Sequence, residues 1–340
     1  MPQLCSSAAP GGNLQEWNRL LRPYAAPAPA RSIVQLALSL ALLVACFAGM
    51  LTLAALAGTW AGVALSPLAG LLLVRLFVIQ HDCGHYSFFR SRRTCDMVGR
   101  LLGVLTLTPY AWWKRDHDRH HASSGDLSRR GHGDVTTLTV REYRALSRRR
   151  RLLYRLYRHP LVLFGIGPIY QFLVRHRLPL GLERGDGKSL GSIMGTNLAI
   201  GVLFVGCGLA FGFGRFTVLW LPAMAVAASA GVWMFFVQHQ FEDTYWEERE
   251  HWDFVAAALK GCSYFRLPRP LDWLTASIGY HHLHHLAARI PNYRLKACFE
   301  AVPALHAATV ISLRQSFGCA RLALWCEERH RLLSFRDALA

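Results

Sequence analysis

Charge is scarce in this chain, and acidic charge scarcest of all. Of its 340 residues only 17% are charged, and 21 Asp and Glu stand against 38 Lys and Arg. Soluble domains usually carry about 25% charged residues. With 52% hydrophobic residues, the composition excludes an ordinary soluble domain and indicates a membrane protein. The nine cysteines include no C-x-x-C pair, which excludes a ferredoxin-type cluster within the chain; no haem-binding arrangement occurs either, and free thiols are expected rather than a disulfide framework. Apolar runs are absent before about residue 32, too late for an ordinary signal peptide. The net charge of +17 suits basic segments held against anionic lipid or an acidic partner. Nucleic acid is set aside, because the basic residues share the sequence with bilayer-length apolar runs.

Four such runs are present, at about residues 32–56, 60–80, 189–213 and 216–240. Each can cross a hydrocarbon core of about 30 Å. Short breaks at Gly58-Thr59 and Gly214-Arg215 pair them into two hairpins, with Arg75 near an interface that its long side chain can reach. Two shorter runs, Leu101 to Trp113 and Leu161 to Val174, are interrupted by Pro and Gly and read as interfacial or packed on the bundle. Of the 38 Lys and Arg, 36 fall in the three segments that two hairpins place on one face, and Arg215 sits in a hairpin tip on the other. The positive-inside rule makes the charged face cytoplasmic. The expected fold is an all-α integral membrane protein: four transmembrane helices in two hairpins, with a helical cytoplasmic cap carrying a two-metal site. Residues 1–31 form a cytoplasmic N-terminal segment with a short amphipathic helix, Leu14 to Leu21, on the membrane surface. Residues 32–295 are the main domain, and residues 296–340 a cytoplasmic helical segment.

Histidine carries the chemistry. Nine of the sixteen histidines fall in three clusters: His81-x-x-x-His85, His117-x-x-His120-His121 and His281-His282-x-His284-His285. An H-x-x-H-H match is expected by chance only about 0.03 times at this histidine frequency, and two are present. Spacings of three and four put imidazoles on one helical face, able to converge on one centre. All three clusters fall on the cytoplasmic side of the spans, and His239 at the end of the fourth sits at the depth of His81. Eight or nine imidazoles exceed one ion's coordination number, so two metals are implied. Imidazole suits zinc, copper, iron and nickel alike; a redox pair placed at a membrane surface to activate oxygen against an apolar chain makes iron the expectation. Asp82 and Asp118 are candidates for orienting imidazoles, and Trp112, Trp113, Trp233, Phe235 and Phe236 for lining an acyl path. Glu248-x-x-His251 and Glu327-x-x-His330 match a carboxylate diiron pattern, but the spans contain no glutamate to complete it. His132, His159, His176 and His306 are scattered and read as structural.

The three clusters, with Tyr86-Ser-Phe-Phe89, Gln238-His-Gln-Phe-Glu-Asp-Thr-Tyr-Trp246 and Ile290-Pro-Asn-Tyr293, resemble the membrane fatty acid desaturase family, in particular the bacterial acyl desaturases of omega-6 (delta-12) type. The likeness runs from about Trp17 to Leu295. It implies a nonhaem diiron site whose ligands are His81, His85, His117, His120, His121, His281, His284 and His285, with His239 as the ninth; His282 falls outside the pattern, and no further catalytic residue is implied. It also implies oxygen and two electrons as co-substrates, an acyl lipid or acyl thioester as substrate, and a cis double bond as product. The electrons come from a separate carrier of ferredoxin, rubredoxin or cytochrome b5 type, which the Arg-rich stretch Arg129 to Arg158 could dock. The expected location is the bacterial inner membrane. Two alternatives stand beside this reading: a hydroxylase or ketolase acting on fatty chains, alkanes or carotenoids, and a non-enzymatic membrane metal carrier.

Overall fold

The computed structural model describes residues 13–131, 133–183 and 185–340; Cys5 and His132 lie outside them. The chain is mostly helical. A short helix α1 (Leu14–Leu21), capped by the Asn13 side chain, precedes α2 (Pro29–Ala57), whose proline at the first turn gives up no needed hydrogen bond. Gly58, at φ +88, ends α2 and turns the chain into α3 (Thr59–Val63) and α4 (Ser66–Gly84). The second apolar run therefore starts as a separate short helix. Pro67, in the first turn of α4, lacks the N–H that a continuous helix would need there. The helix also runs past Gln80 to carry His81.

Helices α5 (Arg92–Leu105) and α6 (Tyr110–Ser123) divide the run expected over 101–113, with Pro109 at the N-cap of α6. Next come strand β1 (Leu138–Thr139), α7 (Val140–Ala145) and the arginine-rich α8 (Arg148–Arg158). The second short run is a π turn over Val162–Ile166 continued by α9 (Gly167–Leu173). Two long helices follow, α10 (Gly187–Phe211) and α11 (Phe213–His239), joined at Gly212 with φ +86. The remainder comprises α12 (Phe254–Lys260), β2 (Tyr264–Arg266), α13 (Arg269–Leu274), α14 (His281–Leu286), α15 (Asn292–Ala301), β3 (Val310–Ser312), α16 (Leu313–Cys319), β4 (Leu322–Cys326), β5 (Arg331–Ser334) and α17 (Phe335–Leu339).

Helices α2, α4, α10 and α11 are long and apolar enough to cross a membrane. Their surfaces divide as a bilayer requires. Ile33, Val34, Val44 and Leu56 on α2, and Leu198, Val202 and Leu209 on α10, are exposed; such apolar faces are stable against lipid and not against water. Helix α4 is the buried centre, packed on α2, α5 and α11. Its crossing with α11 is close because Gly70 has no side chain: a Cβ there would lie 2.6 Å from Val226 Cγ1 and 2.9 Å from the Ala223 carbonyl. From that crossing His81 is eleven residues along α4 and His239 thirteen residues from Val226 along α11. At about 1.5 Å per residue, both imidazoles arrive at the same end of the bundle.

Two expectations change. The apolar face of α1 does not lie outward on a membrane surface: Trp17 and Leu21 are buried with Val255, Ala258, Leu283 and Leu286, so the N-terminal helix clamps the segment bearing the third histidine cluster. The region 296–340 is not purely helical. Strand β4 pairs in parallel with β1 and antiparallel with β5, and β3 pairs in parallel with β2. A short, wholly apolar segment such as Leu322–Cys326, with Val140, Tyr143 and Tyr154 to pack on, favours pairing over isolated helix.

Candidate metal centre

Eight histidines singled out by spacing and His239, singled out by its depth, meet at one end of the bundle in two groups. His81, His85, His117, His121 and His284 form one; His120, His239, His281 and His285 form the other. Within each group the ring nitrogens that could serve as ligands lie within 4.8 Å of one another. Helical rotation of about 100° per residue explains the partition. On α6, His117 and His121 are four apart and share a direction, while His120 is turned away from His121 by one residue's rotation. On α14 the roles invert: His281 and His285 share a direction, and His284 faces the other group. Each H-x-x-H-H segment thus serves both groups. His282 lies about 100° round from His281, and its ring packs near Phe299 and Tyr264, outside both groups.

The nitrogens face one another at close range. Nε2–Nε2 separations are 3.0 Å for His85 and His117, 3.1 Å for His117 and His121, and 3.1 Å for His121 and His284. In the second group they are 3.1 Å for His120 and His239 and 2.9 Å for His239 and His281. A neutral ring nitrogen offers either one N–H or one lone pair. The Nε2 atoms of His117, His121 and His239 each touch two others, so hydrogen bonds cannot satisfy them all.

A family model described as fatty acid desaturase matches residues 58–316. A fatty acid desaturase of Bacillus subtilis is 45% identical over 274 residues, covering 80% of this chain and 77% of that protein. Two proteins of Synechocystis sp. are 28% identical: an sn-1 oleoyl-lipid 12-desaturase, over 67% of this chain and 64% of that protein, and an sn-1 acyl-lipid omega-3 desaturase (ferredoxin), over 68% and 65%. The chain belongs to the fatty acid desaturase family. It is an oxidoreductase of the acyl-desaturating kind, which removes the metal-carrier alternative.

The desaturase's histidines suit metal ions. Burial holds the imidazoles of His85, His117, His121, His281, His284 and His285 well below their ordinary pKa, and neighbouring imidazoles add to the effect. They are neutral at pH 7, the form that donates a lone pair to a cation. Converging neutral lone pairs with no acidic group among them are a donor set for a borderline metal such as iron.

Three side chains approach the outer nitrogens. Asp82 Oδ1 lies 3.3 Å from His81 Nδ1, while Asp82 Oδ2 accepts from the backbone and side-chain N–H groups of Asn292 at 2.7 and 2.8 Å. Asp134 Oδ1 lies 2.6 Å from His120 Nδ1, and Cys262 Sγ lies 3.7 Å from His239 Nδ1. Asp118 takes no such place; it pairs with Lys114 at 2.6 Å on the surface, because its position on α6 points away from both groups. Asp134 and Cys262 carry no sequence signal, since one follows a glycine-rich loop and the other a short helix, both far from His120 and His239 in the chain.

Of the five aromatic residues considered as path lining, two meet the histidines. Trp113 stacks on His117 at 4.7 Å between centroids, and Phe235 lies 5.1 Å from both His120 and His239. Trp112 packs on His176, Trp233 on Phe164 and Phe317, and Phe236 on Phe164, so these three serve packing instead. Glu327 pairs with Arg141, and His330 approaches Glu247; neither belongs to the histidine groups. His176 is buried and pushed down to about 3. The eight described cysteines are free thiols.

Proposed function

We propose that this desaturase introduces a cis double bond into the acyl chain of a lipid or acyl thioester, at two iron ions held by five and four histidines. The observation that carries the reading is the gathering of nine imidazoles, from four separated parts of the chain, into two adjoining groups at one end of the membrane-type helices. Two nonhaem irons, when bound, would supply an oxidant able to take hydrogen from an unactivated C–H bond, which no side-chain acid or base can do. The protein's share is position and dryness. The carboxylates of Asp82 and Asp134 lie beside Nδ1 of His81 and His120, where each favours a proton on that nitrogen and leaves Nε2 to offer its lone pair. Trp113 and Phe235 close the site against water with apolar ring faces.

The catalytic unit on this reading spans residues 32–295, with α2, α4, α10 and α11 as two transmembrane hairpins in a bacterial inner membrane and the histidines at the cytoplasmic boundary. An acyl tail can then stay in apolar surroundings while its target carbons reach the metals. Electrons enter from a separate carrier. The name of the Synechocystis omega-3 relative includes ferredoxin, and the exposed Arg148, Arg149 and Arg150 at the start of α8 give an acidic carrier of that kind a landing face. The stretch is not uniformly available: Arg130 is tied to Glu142, and Arg158 is buried against Gln240 and the Leu322 carbonyl.

Lipid analysis of a bacterial host expressing the chain tests the proposal. A new unsaturated acyl species is expected, and hydroxylated chains in its place would move the activity to the oxygen-inserting alternative. His120→Ala and His284→Ala, one from each group, are expected to abolish the new species while the protein still inserts in the membrane. Turnover retained in either variant would remove that histidine from the ligand set.

A further inference from the structure

Away from the histidines, an open cavity of about 460 Å³ lies between α2, α4 and the turn that follows α13. Its size falls within the roughly 300–1,000 Å³ of small-molecule sites. Arg31, Gln35, Arg75, Trp273, Ser277 and Asn292 are among the residues lining it. Val34 and Leu38, on the exposed apolar face of α2, form one edge, so the cavity opens toward lipid.

Two polar groups in the wall lack what they need. Arg75 is only 5% exposed, yet its protein hydrogen bonds run to neutral acceptors alone: Nε donates to Ser39 Oγ at 2.9 Å and Nη1 to the Trp273 carbonyl, with the guanidinium 4.1 Å from the Trp273 ring centroid. Nη2 has no protein acceptor, and no carboxylate pairs with this charge among the described residues. Guanidinium binds oxyanions by a planar fork, and burying it without an opposite charge is costly. Gln35, 9% exposed, donates through Nε2 to Asn292 Oδ1 at 2.8 Å, whereas its buried Oε1 accepts from nothing among the described residues. One group asks for an anion and the other for a hydroxyl or amine donor. At the mouth Arg31 adds a second, exposed cation. The wall is also strained: Ala276 and Ser277 hold successive positive φ angles of 49° and 56°, a conformation that non-glycine residues keep where the surrounding structure demands it, often at binding sites.

We propose that this cavity binds the headgroup of an anionic glycerophospholipid, with the phosphodiester oxyanion on Arg75 and Arg31 and a headgroup hydroxyl donating to Gln35 Oε1. The tail lies along Val34 and Leu38. The site is separate from the metal centre and touches it through one hydrogen-bonded chain, from Gln35 to Asn292 to Asp82 beside His81.

Thermal unfolding of the purified, iron-loaded full chain in neutral detergent tests this with three probes: dioctanoyl-phosphatidylglycerol, dioctanoylglycerol and octanoate. Phosphatidylglycerol is expected to raise the unfolding temperature with an apparent affinity at least ten-fold above that of dioctanoylglycerol, and octanoate to have no comparable effect. Arg75→Gln and Gln35→Leu should each bring phosphatidylglycerol down to the diacylglycerol level. Equal binding of dioctanoylglycerol overturns the anion site, octanoate as strong as phosphatidylglycerol reassigns the oxyanion to a carboxylate and overturns the phosphodiester, and undiminished binding in Gln35→Leu overturns the placement. Should Arg75→Gln fail to fold, Arg31→Gln at the exposed mouth replaces it, with about three-fold weaker phosphatidylglycerol binding expected and unchanged binding counting against the site. Because the shift requires no turnover, it would persist if the diiron chemistry proved wrong, and the two failures are distinguishable.

Discussion

His281 and His282 are neighbours in the chain, equally buried, and chemically unlike. His281 Nε2 sits 2.9 Å from His239 Nε2 within the second group, whereas both ring nitrogens of His282 are buried beside Phe299 without a hydrogen-bond partner among the described residues. Burial pushes His282 down to about 3, so it is a neutral, space-filling ring. Its replacement by an apolar side chain removes unsatisfied polar atoms rather than a ligand. His282→Leu is therefore expected to retain two irons per chain by metal analysis, with stability changed by no more than about 1 kcal/mol, while His281→Leu loses iron. Asp134 is the opposite case, a residue outside the histidine pattern whose carboxylate adjoins His120. Losing such an orienting partner typically costs about 10–100-fold in metal affinity or activity. Asp134→Asn should show that loss with the fold intact, and a variant with full iron and full rate would leave Asp134 without an orienting role. The ligand candidates were legible because three- and four-residue spacing is a local property that survives any tertiary arrangement. Asp134 and Cys262 were not, since only the folded chain brings them to His120 and His239.

Among the elements, α4 does the most positioning and was the least well bounded by the sequence. Hydropathy runs unbroken from Trp60 to Gln80, but it does not register that Pro67 makes Ser66 a helix start or that polar His81 and Asp82 continue the helix. The C-terminal strands escaped for a related reason: Leu322–Cys326 is too short to show a period, and its partner β1 is a two-residue strand far upstream. The α4–α11 crossing is where element geometry reaches the site. Gly70→Val would drive a side chain into Val226 and the Ala223 carbonyl, an overpacking worth about 1–3 kcal/mol, and would part the helix ends that carry His81 and His239. Lower unfolding temperature with lowered iron content is expected, and Val226→Ala in the same chain should restore part of both. Gly70→Val with unchanged iron would mean that the crossing does not set the histidine spacing.

At the scale of the whole molecule, the folded chain joins segments that the proposed two-hairpin topology would keep on one side of a bilayer. Trp17 and Leu21, before the first long helix, pack with Leu283 and Leu286, after the fourth. Arg158, between the second and third, bonds to Gln240 beside the end of α11 and to the Leu322 carbonyl after it. Contacts of this kind cannot form across a hydrocarbon core, so the proposed four crossings would put these three segments on one face and leave the two short connections for the other. On the proposed reading, the heavy bias of Lys and Arg toward that shared face makes it the cytoplasmic one. Exposed Arg215, two residues into α11, and exposed Arg329, between β4 and β5, report the two faces. Single cysteines at these positions, in a chain with its native thiols replaced, should react oppositely with a membrane-impermeant maleimide: Cys at 215 in intact cells, and Cys at 329 only after lysis. Reaction of both from the same side would break the two-hairpin arrangement and, with it, the placement of the nine histidines at the cytoplasmic boundary.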